Sequence, residues 1–232
     1  MSELHISEGG FLLIDKPLEW TSFDVVKKLR NISRIKKIGH AGTLDPLATG
    51  LLIVCYGRYT KKIESIQTQA KEYTGTFKIG ETTESYDLEK EVNATFETKH
   101  ITSEMLIEAT HSFVGSIEQI PPKHSAVKIK GKRAYEYARS GKEVKMKSRI
   151  VDISEFSITT DSFPTVPFLV KCSKGTYIRS LARDFGEKLE SGAHLTSLRR
   201  TKIGDYDVEN AIAMSDIKSQ EDFFNFAQQF KG

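Results

Sequence analysis

Leu51-Leu52-Ile53-Val54-Cys55-Tyr56 is an unbroken apolar run. Its shortness, its branched side chains and the turn residues that bound it predict a buried strand. Directly before it stands Gly39-His40-Ala41-Gly42-Thr43-Leu44-Asp45-Pro46-Leu47-Ala48-Thr49-Gly50, which sets one carboxylate, Asp45, among three glycines and a proline. Pro46 biases Asp45 away from helical backbone, and the glycines admit turns that other residues resist. A carboxylate presented by a rigid loop at the lip of a buried strand is placed to act as an acid, base or nucleophile. The competing reading is a plain Asp-Pro turn.

A chain of 232 residues can bury a sizeable core as one large domain or two small ones. No apolar run approaches the ~20 residues that a spanning helix needs, and the N-terminus lacks a signal-peptide pattern. Cys55 and Cys172 lie within apolar strand-like runs, which predicts buried free thiols rather than metal ligands. Together these features predict a cytoplasmic protein with no membrane association. Net charge is only +3, but it is segregated. Residues 123–149 carry ten Lys/Arg against Glu136 and Glu143, a net of +8, and residues 27–37 carry six with no acid. The rest of the chain is left at −11. Such separation points to a polyanionic partner, nucleic acid first, with a solvated basic face as the bland alternative.

Phe11 to Ile14 reads as a first strand, stopped at Asp15-Lys16-Pro17. Ser22 is placed to cap a helix with Val25, Val26, Leu29 and Ile32 on one face. Residues 71–79 bring Tyr73, Gly75, Phe77 and Ile79 into phase as a half-buried strand, and a short strand follows near Ala94-Thr95-Phe96. Residues 103–114 read as a helix with Met105, Leu106, Ala109 and Phe113 in one stripe and Gly115 as its stop. Within the basic segment 121–149 a short helix is expected around Arg133–Arg139. Residues 150–158 and 166–173 alternate as strands. Thr176 is placed to cap a helix with Ile178, Leu181, Ala182, Phe185 and Leu189 inward, ended by Gly192. Leu195 to Ile203 follows, then a polar linker and a short amphipathic helix with Phe223, Phe224, Ala227 and Phe230. Strands scattered along the whole chain with a few helices between predict an α+β fold around a mixed, largely antiparallel sheet.

Arg179 falls in the first turn of its helix, where the macrodipole disfavours a cation. It therefore calls for a carboxylate or phosphate nearby, unless it points to solvent. Tyr73, beside Thr74 and Gly75, is either a stacking platform for an unpaired base or a core tyrosine. His40 is a candidate acid, base or stacking surface. Phosphate-loop, dinucleotide, HExxH, CxxC and Gly-x-Ser-x-Gly patterns are absent from the sequence, which leaves side-chain carboxylate chemistry for an enzyme.

The string Gly39 to Gly50 resembles the catalytic motif of the TruB family of tRNA pseudouridine synthases. Five further segments resemble that family's motifs in order. Asp15-Lys16-Pro17 with Trp20-Thr21-Ser22 comes first, then Lys71-Glu72-Tyr73 and Thr82-Thr83-Glu84-Ser85-Tyr86-Asp87. The stretch from Pro121-Pro122 through Lys128, Arg133 and Arg139 looks like its RNA-gripping insertion. Lys174-Gly175-Thr176-Tyr177-Ile178-Arg179-Ser180 looks like its arginine motif, and His194-Leu195 through Leu198-Arg199-Arg200 like the segment closing its pocket. The resemblance implies a pseudouridine synthase catalytic fold over residues 1–204, including a basic RNA-binding insertion at about 121–149. Residues 205–232 would be a short C-terminal helical tail in place of the PUA domain that many members carry.

The resemblance further implies that Asp45 is the catalytic carboxylate, Tyr73 the aromatic against the target base and Arg179 the ion-pair partner of Asp45. His40 would fill the space left by the extruded nucleotide, while Tyr177, Leu195 and Lys16 line or support the pocket. Lys128, Arg133 and Arg139 would hold RNA. The implied reaction turns uridine 55 of the tRNA T-loop into pseudouridine without metal or organic cofactor. The partner would be the T-arm of tRNA, met by a monomer needing no other protein. Two rivals stand beside this: a guide-dependent pseudouridine synthase, and a noncatalytic RNA-binding protein that helps tRNA fold.

Overall fold

The computed structural model describes residues 9–123, 125, 128–129, 132–133 and 146–229. The chain divides into two compact units, one of residues 1–73 with 198–232 and the other of residues 74–197. Each is an α+β assembly, and the sheet is mixed and mostly antiparallel.

In the first unit, β1 (Gly10–Lys16) and β3 (Ala48–Tyr56) pair antiparallel along their whole shared length, from Gly10↔Tyr56 to Lys16↔Gly50. On its other edge β3 takes β2 (Ile38–His40) antiparallel and the end of β12 (Ala193–Ile203) parallel, with Arg200 opposite Gly50. Both faces of this pair are covered. Leu12, Ile14, Leu52 and Val54 pack with Val25, Val26 and Leu29 of α1 (Ser22–Ser33) and Phe223, Phe224 and Ala227 of α5 (Gln220–Gln229). The alternate residues Leu13, Leu51, Ile53 and Cys55 pack with Ile66, Ile203 and Val208. A strand buried on both faces needs apolar residues at every position, which is why 51–56 is unbroken rather than alternating. Both cysteines are buried and neither forms a disulfide, and burial pushes the Cys55 thiol up to about 11. The C-terminal linker also joins the sheet: β14 (Ile212–Ala213) runs parallel to β1, and β13 (Tyr206–Asp207) folds back on β12.

The cap of α1 is Thr21, not Ser22. Thr21 accepts from the Asp24 N–H while the Asp24 carboxylate accepts from the Thr21 N–H, a reciprocal capping box. Ser22 lies inside the helix and its hydroxyl works elsewhere.

The second unit carries the neighbours β12, β4 (Lys71–Ile79), β11 (Thr165–Cys172), β10 (Arg149–Ile158) and β7 (Gly115–Gln119), in that order. A cluster of phenylalanines fills it: Phe77 stacks on Phe168 with centroids 4.2 Å apart, and Phe185 of α4 (Ile178–Lys188) meets Phe77 and Phe156. Gly75 makes room for this packing, since a Cβ there would stand 2.3 Å from the Ser197 carbonyl oxygen and 2.8 Å from the Phe168 ring. The inward stripe Ile178, Leu181, Ala182, Phe185 and Leu189 is buried as expected.

Three local expectations fail here. The residue flanking α4 is Tyr177, while the Thr176 hydroxyl donates to the Ser173 carbonyl. The same helix ends at Lys188, with Leu189 as its cap and Glu190 left-handed at φ +52°, ahead of Gly192. Helix α3 (Ser103–His111) stops short of 114 and Met105 is exposed, while Leu106 and Ala109 are buried and Phe113, just past the helix, meets Phe156 and Phe185. Strand pairs β5 (Glu81–Thr83) with β6 (Val92–Thr95), and β8 (Lys128–Ile129) with β9 (Lys132–Arg133), complete the unit. Arg133 thus sits in a hairpin strand, and the helix expected after it lies outside the described residues. Among the described residues no helix is long and apolar enough to cross a membrane.

Candidate active site

Asp45 is half-buried in the loop between β2 and β3, and its flanks are pinned from several directions within the first unit. The Ser22 hydroxyl accepts from the Leu44 N–H at 2.9 Å and lies 3.2 Å from the Leu44 carbonyl, to which it donates. On the other side the Pro46 carbonyl accepts from the Glu19 N–H at 2.9 Å and from the Lys16 ammonium at 3.3 Å. The Ala48 N–H closes a turn onto the Asp45 carbonyl. A fourth hold comes from Arg200, whose guanidinium donates to the Leu51 and Gly42 carbonyls at 2.8 and 3.2 Å. Gly50 permits that approach, with φ +99° and its α-carbon face 2.3 Å (measured to an added Cβ) from the Arg200 carbonyl. Residues on both sides of Asp45 are thus fixed before any ligand arrives, which is how a reacting group is held in place without help from substrate.

Lys16 is fully buried and its three ammonium protons have three carbonyl acceptors, on Pro17, Trp20 and Pro46. Burial lowers its pKa to about 8; the charge of Asp45 is the largest influence opposing that shift, and Arg200 adds to it. Lys16 therefore supports the loop and sets a positive charge behind the carboxylate. His40 ends β2 opposite Val54. Burial, with a smaller push from Arg200, lowers its pKa against the backbone of Gly42, so its imidazole is neutral at pH 7. A neutral ring suits a base or a stacking surface better than a general acid. Tyr73 is half-buried near the start of β4, and the adjacent Glu72 carboxylate accepts from the Thr201 hydroxyl. Beside the loop, Arg199 holds Asp15 through two parallel hydrogen bonds of 2.9 and 2.8 Å.

The second unit assembles another set. Arg179 is 4 % exposed, which overturns the solvent-pointing alternative. The anion that its helix position calls for is present within this unit: Asp87 lies 3.7 Å from its Nε, and the Ser85 carbonyl accepts from its guanidinium. Tyr177 exchanges two backbone hydrogen bonds with the Gln119 amide, and the Arg149 guanidinium lies 5.0 Å from its ring centroid. Leu195 is buried and its N–H donates to the carbonyl of Tyr86, a residue held at φ +63°. Lys128 and Arg133 are register partners in the β8–β9 hairpin. Arg139 lies outside the described residues.

Sequence reasoning missed the work of Ser22, Arg200 and Asp87. Ser22 was hidden by the neighbouring hydroxyl of Thr21, and Arg200 by its place in a basic pair. Asp87 was masked by the acidic loop around it.

The sequence model of the TruB family pseudouridylate synthase N-terminal domain matches residues 30–178, and that of the tRNA pseudouridylate synthase B C-terminal domain matches residues 179–226. The tRNA pseudouridine synthase B of Flavobacterium johnsoniae is 58% identical over 212 residues, covering 88% of this chain and 93% of its own. That of Phocaeicola vulgatus is 52% identical over 217 residues, covering 91% and 92%. Among solved structures, a chain in a Cbf5-Nop10-Gar1 complex superposes with a TM-score of 0.70 at 28% identity. The match takes in 92% of this chain but only 54% of that one, so this chain spans about half its length. With two domain models meeting end to end and relatives this similar over most of their length, the chain belongs to the TruB family of pseudouridylate synthases.

Proposed function

We propose that this enzyme isomerises uridine 55 in the T-loop of tRNA to pseudouridine, with Asp45 as the catalytic carboxylate. The observation that carries the reading is the loop of Asp45, pinned on both flanks by Ser22, Lys16, Glu19 and Arg200. The names of the similar bacterial proteins, tRNA pseudouridine synthase B, support tRNA as the substrate.

In this reading the uridine leaves its stack, which costs least in a loop, and enters the site. Tyr73 lies against the base, and His40, kept neutral by burial, fills the space the nucleotide leaves. Arg179 supplies positive charge to the carboxylate, and Tyr177 and Leu195 line the pocket. The bond between the ribose carbon and N1 of uracil breaks, the ring rotates, and a bond forms from that carbon to C5. The C5 proton is then lost and N1 gains one, so atoms and electrons balance with no external oxidant or reductant. Lys128, Arg133 and Arg139 grip the RNA. The enzyme works as a cytoplasmic monomer, with residues 1–204 carrying catalysis.

The test is to incubate the protein with an unmodified T-arm stem–loop and map pseudouridine by selective chemical labelling. Product at the T-loop uridine is expected. Product only after adding a guide RNA would transfer the enzyme to guide-dependent modification, and no product under either condition would leave a binding protein.

A further inference from the structure

The segment that clamps the Asp45 loop continues into a basic surface that the catalytic reading does not use. Helical spacing puts Phe23 and Lys27 on one outward stripe of α1, with Arg34 at its end, opposite the buried Val25, Val26 and Leu29, while Arg30 turns its guanidinium to the Ile38 carbonyl. Phe23 is 61 % exposed, a high value for a phenylalanine. Lys36 and Lys37 follow, both exposed. None of Lys27, Arg34, Lys36 and Lys37 has an ion-pair partner among the described residues. An open groove of about 480 Å³ runs beside the stripe, lined by Trp20, Lys27, Lys28 and Asn31, with the Lys28 ammonium 5.3 Å from the Trp20 ring centroid. Glu19 and Asp24 on its rim balance Lys27 and Lys28, so the unbalanced positive charge lies further along, at Arg34, Lys36 and Lys37.

The six cations between 27 and 37, three in the helix and three after it, have no acid among them and repel one another. A polyanion relieves that repulsion, and an exposed aromatic among the cations offers an unpaired base a face to stack on. Continuity favours the substrate RNA itself. Glu19 and Ser22, at the start of this segment, bond directly to Pro46 and Leu44 on either side of Asp45. From that end the twelve-residue helix leads away over roughly 18 Å.

We infer that the outward face of α1 and the residues after it, Lys27, Arg34, Lys36 and Lys37 with Phe23, form a second contact surface for the phosphate backbone of the substrate RNA. This deepens the function proposed above and rests on it. The triple variant Lys27→Gln/Arg34→Gln/Lys36→Gln and the single variant Phe23→Ala are compared with wild type on tRNA at several salt concentrations. For the triple variant KM rises on the order of tenfold, and the slope of log affinity against log salt becomes shallower by about 2 to 3. Phe23→Ala raises KM and leaves the slope alone. The control Lys99→Gln/Lys188→Gln/Lys218→Gln, with the same loss of charge elsewhere on exposed residues, keeps the wild-type KM. Melting temperatures verify that each variant is folded. Wild-type KM and salt slope in the α1 variants, or an equal loss in the control, would overturn the inference. Absence of turnover by the wild type would instead overturn the function on which it rests.

Discussion

Asp45 owes its position to groups that are themselves immobile: a helix serine, a buried lysine and a buried arginine. Asp45→Asn keeps the shape of the loop and removes the charge. Turnover should fall by at least about 1,000-fold, equivalent to ~4 kcal/mol of barrier, while RNA affinity in a filter-binding assay stays near wild type. A variant turning over at a near-normal rate would remove Asp45 from the chemistry. Lys16 adds a pH dependence. Below its pKa of about 8 it is an ammonium with a proton for each of three carbonyls; above it, an amine with two and no charge behind Asp45. The pH profile of kcat/KM should therefore bend downward near pH 8 as Lys16 loses its proton. A flat profile from pH 7 to 9 would show that the loop does not depend on that charge.

At the scale of elements, α1 is both a core helix and the brace of the Asp45 loop. Ser22→Ala leaves the capping box of Thr21 and Asp24 in place but strips the buried Leu44 N–H of its acceptor. It should cost about 1–3 kcal/mol in denaturant unfolding and lower kcat more than it raises KM. This is also where the limits of the sequence lie. Thr21 and Ser22 are both good capping residues, and only the backbone decides which one caps and which turns toward Leu44. Thr176 was misplaced for the same reason, since a hydroxyl just before a helix can bond backwards to Ser173 instead of capping forwards. Strands were more legible. The span 71–79 is a strand as expected, though of its alternating set only Phe77 and Ile79 are buried. The apolar run 51–56 announced burial on both faces, though not that β3 extends back to Ala48. That extension pairs with Leu198 and Arg199, 150 residues away, which no local pattern contains.

For the whole molecule, charge segregation and motif order were visible in the sequence, but the partners of the key cations were not. Arg179 could be recognised as needing an anion, whereas Asp87 as one of its partners depends on a fold that brings residues 92 positions apart together. The C-terminal helix reads as an amphipathic tail, and the structure makes it part of the core. Phe223 is fully buried, edge-on to Tyr56 at 5.4 Å, and packs with the apolar face of α1, the helix that braces the Asp45 loop. Phe223→Ala should cost about 3–5 kcal/mol in thermal or denaturant unfolding. A loss under 1 kcal/mol would mean that α5 contributes little to that core.

The division of the chain also sets an order in time. Residues 74–197 form one uninterrupted stretch, whereas the other unit needs both ends of the polypeptide. As the protein emerges from the ribosome, β3 is exposed well before its parallel neighbour β12 is made, a wait on the order of ten seconds at ordinary elongation rates. Phe223 and the helix that carries it come later still. The later-starting unit can therefore close first, while the Asp45 loop waits for Arg200 to be synthesised before its last clamp can form. A protein arrested short of residue 198 would carry Asp45 without the strand that holds its loop, so the fixed form of that loop arrives only once residues 198–200 are made.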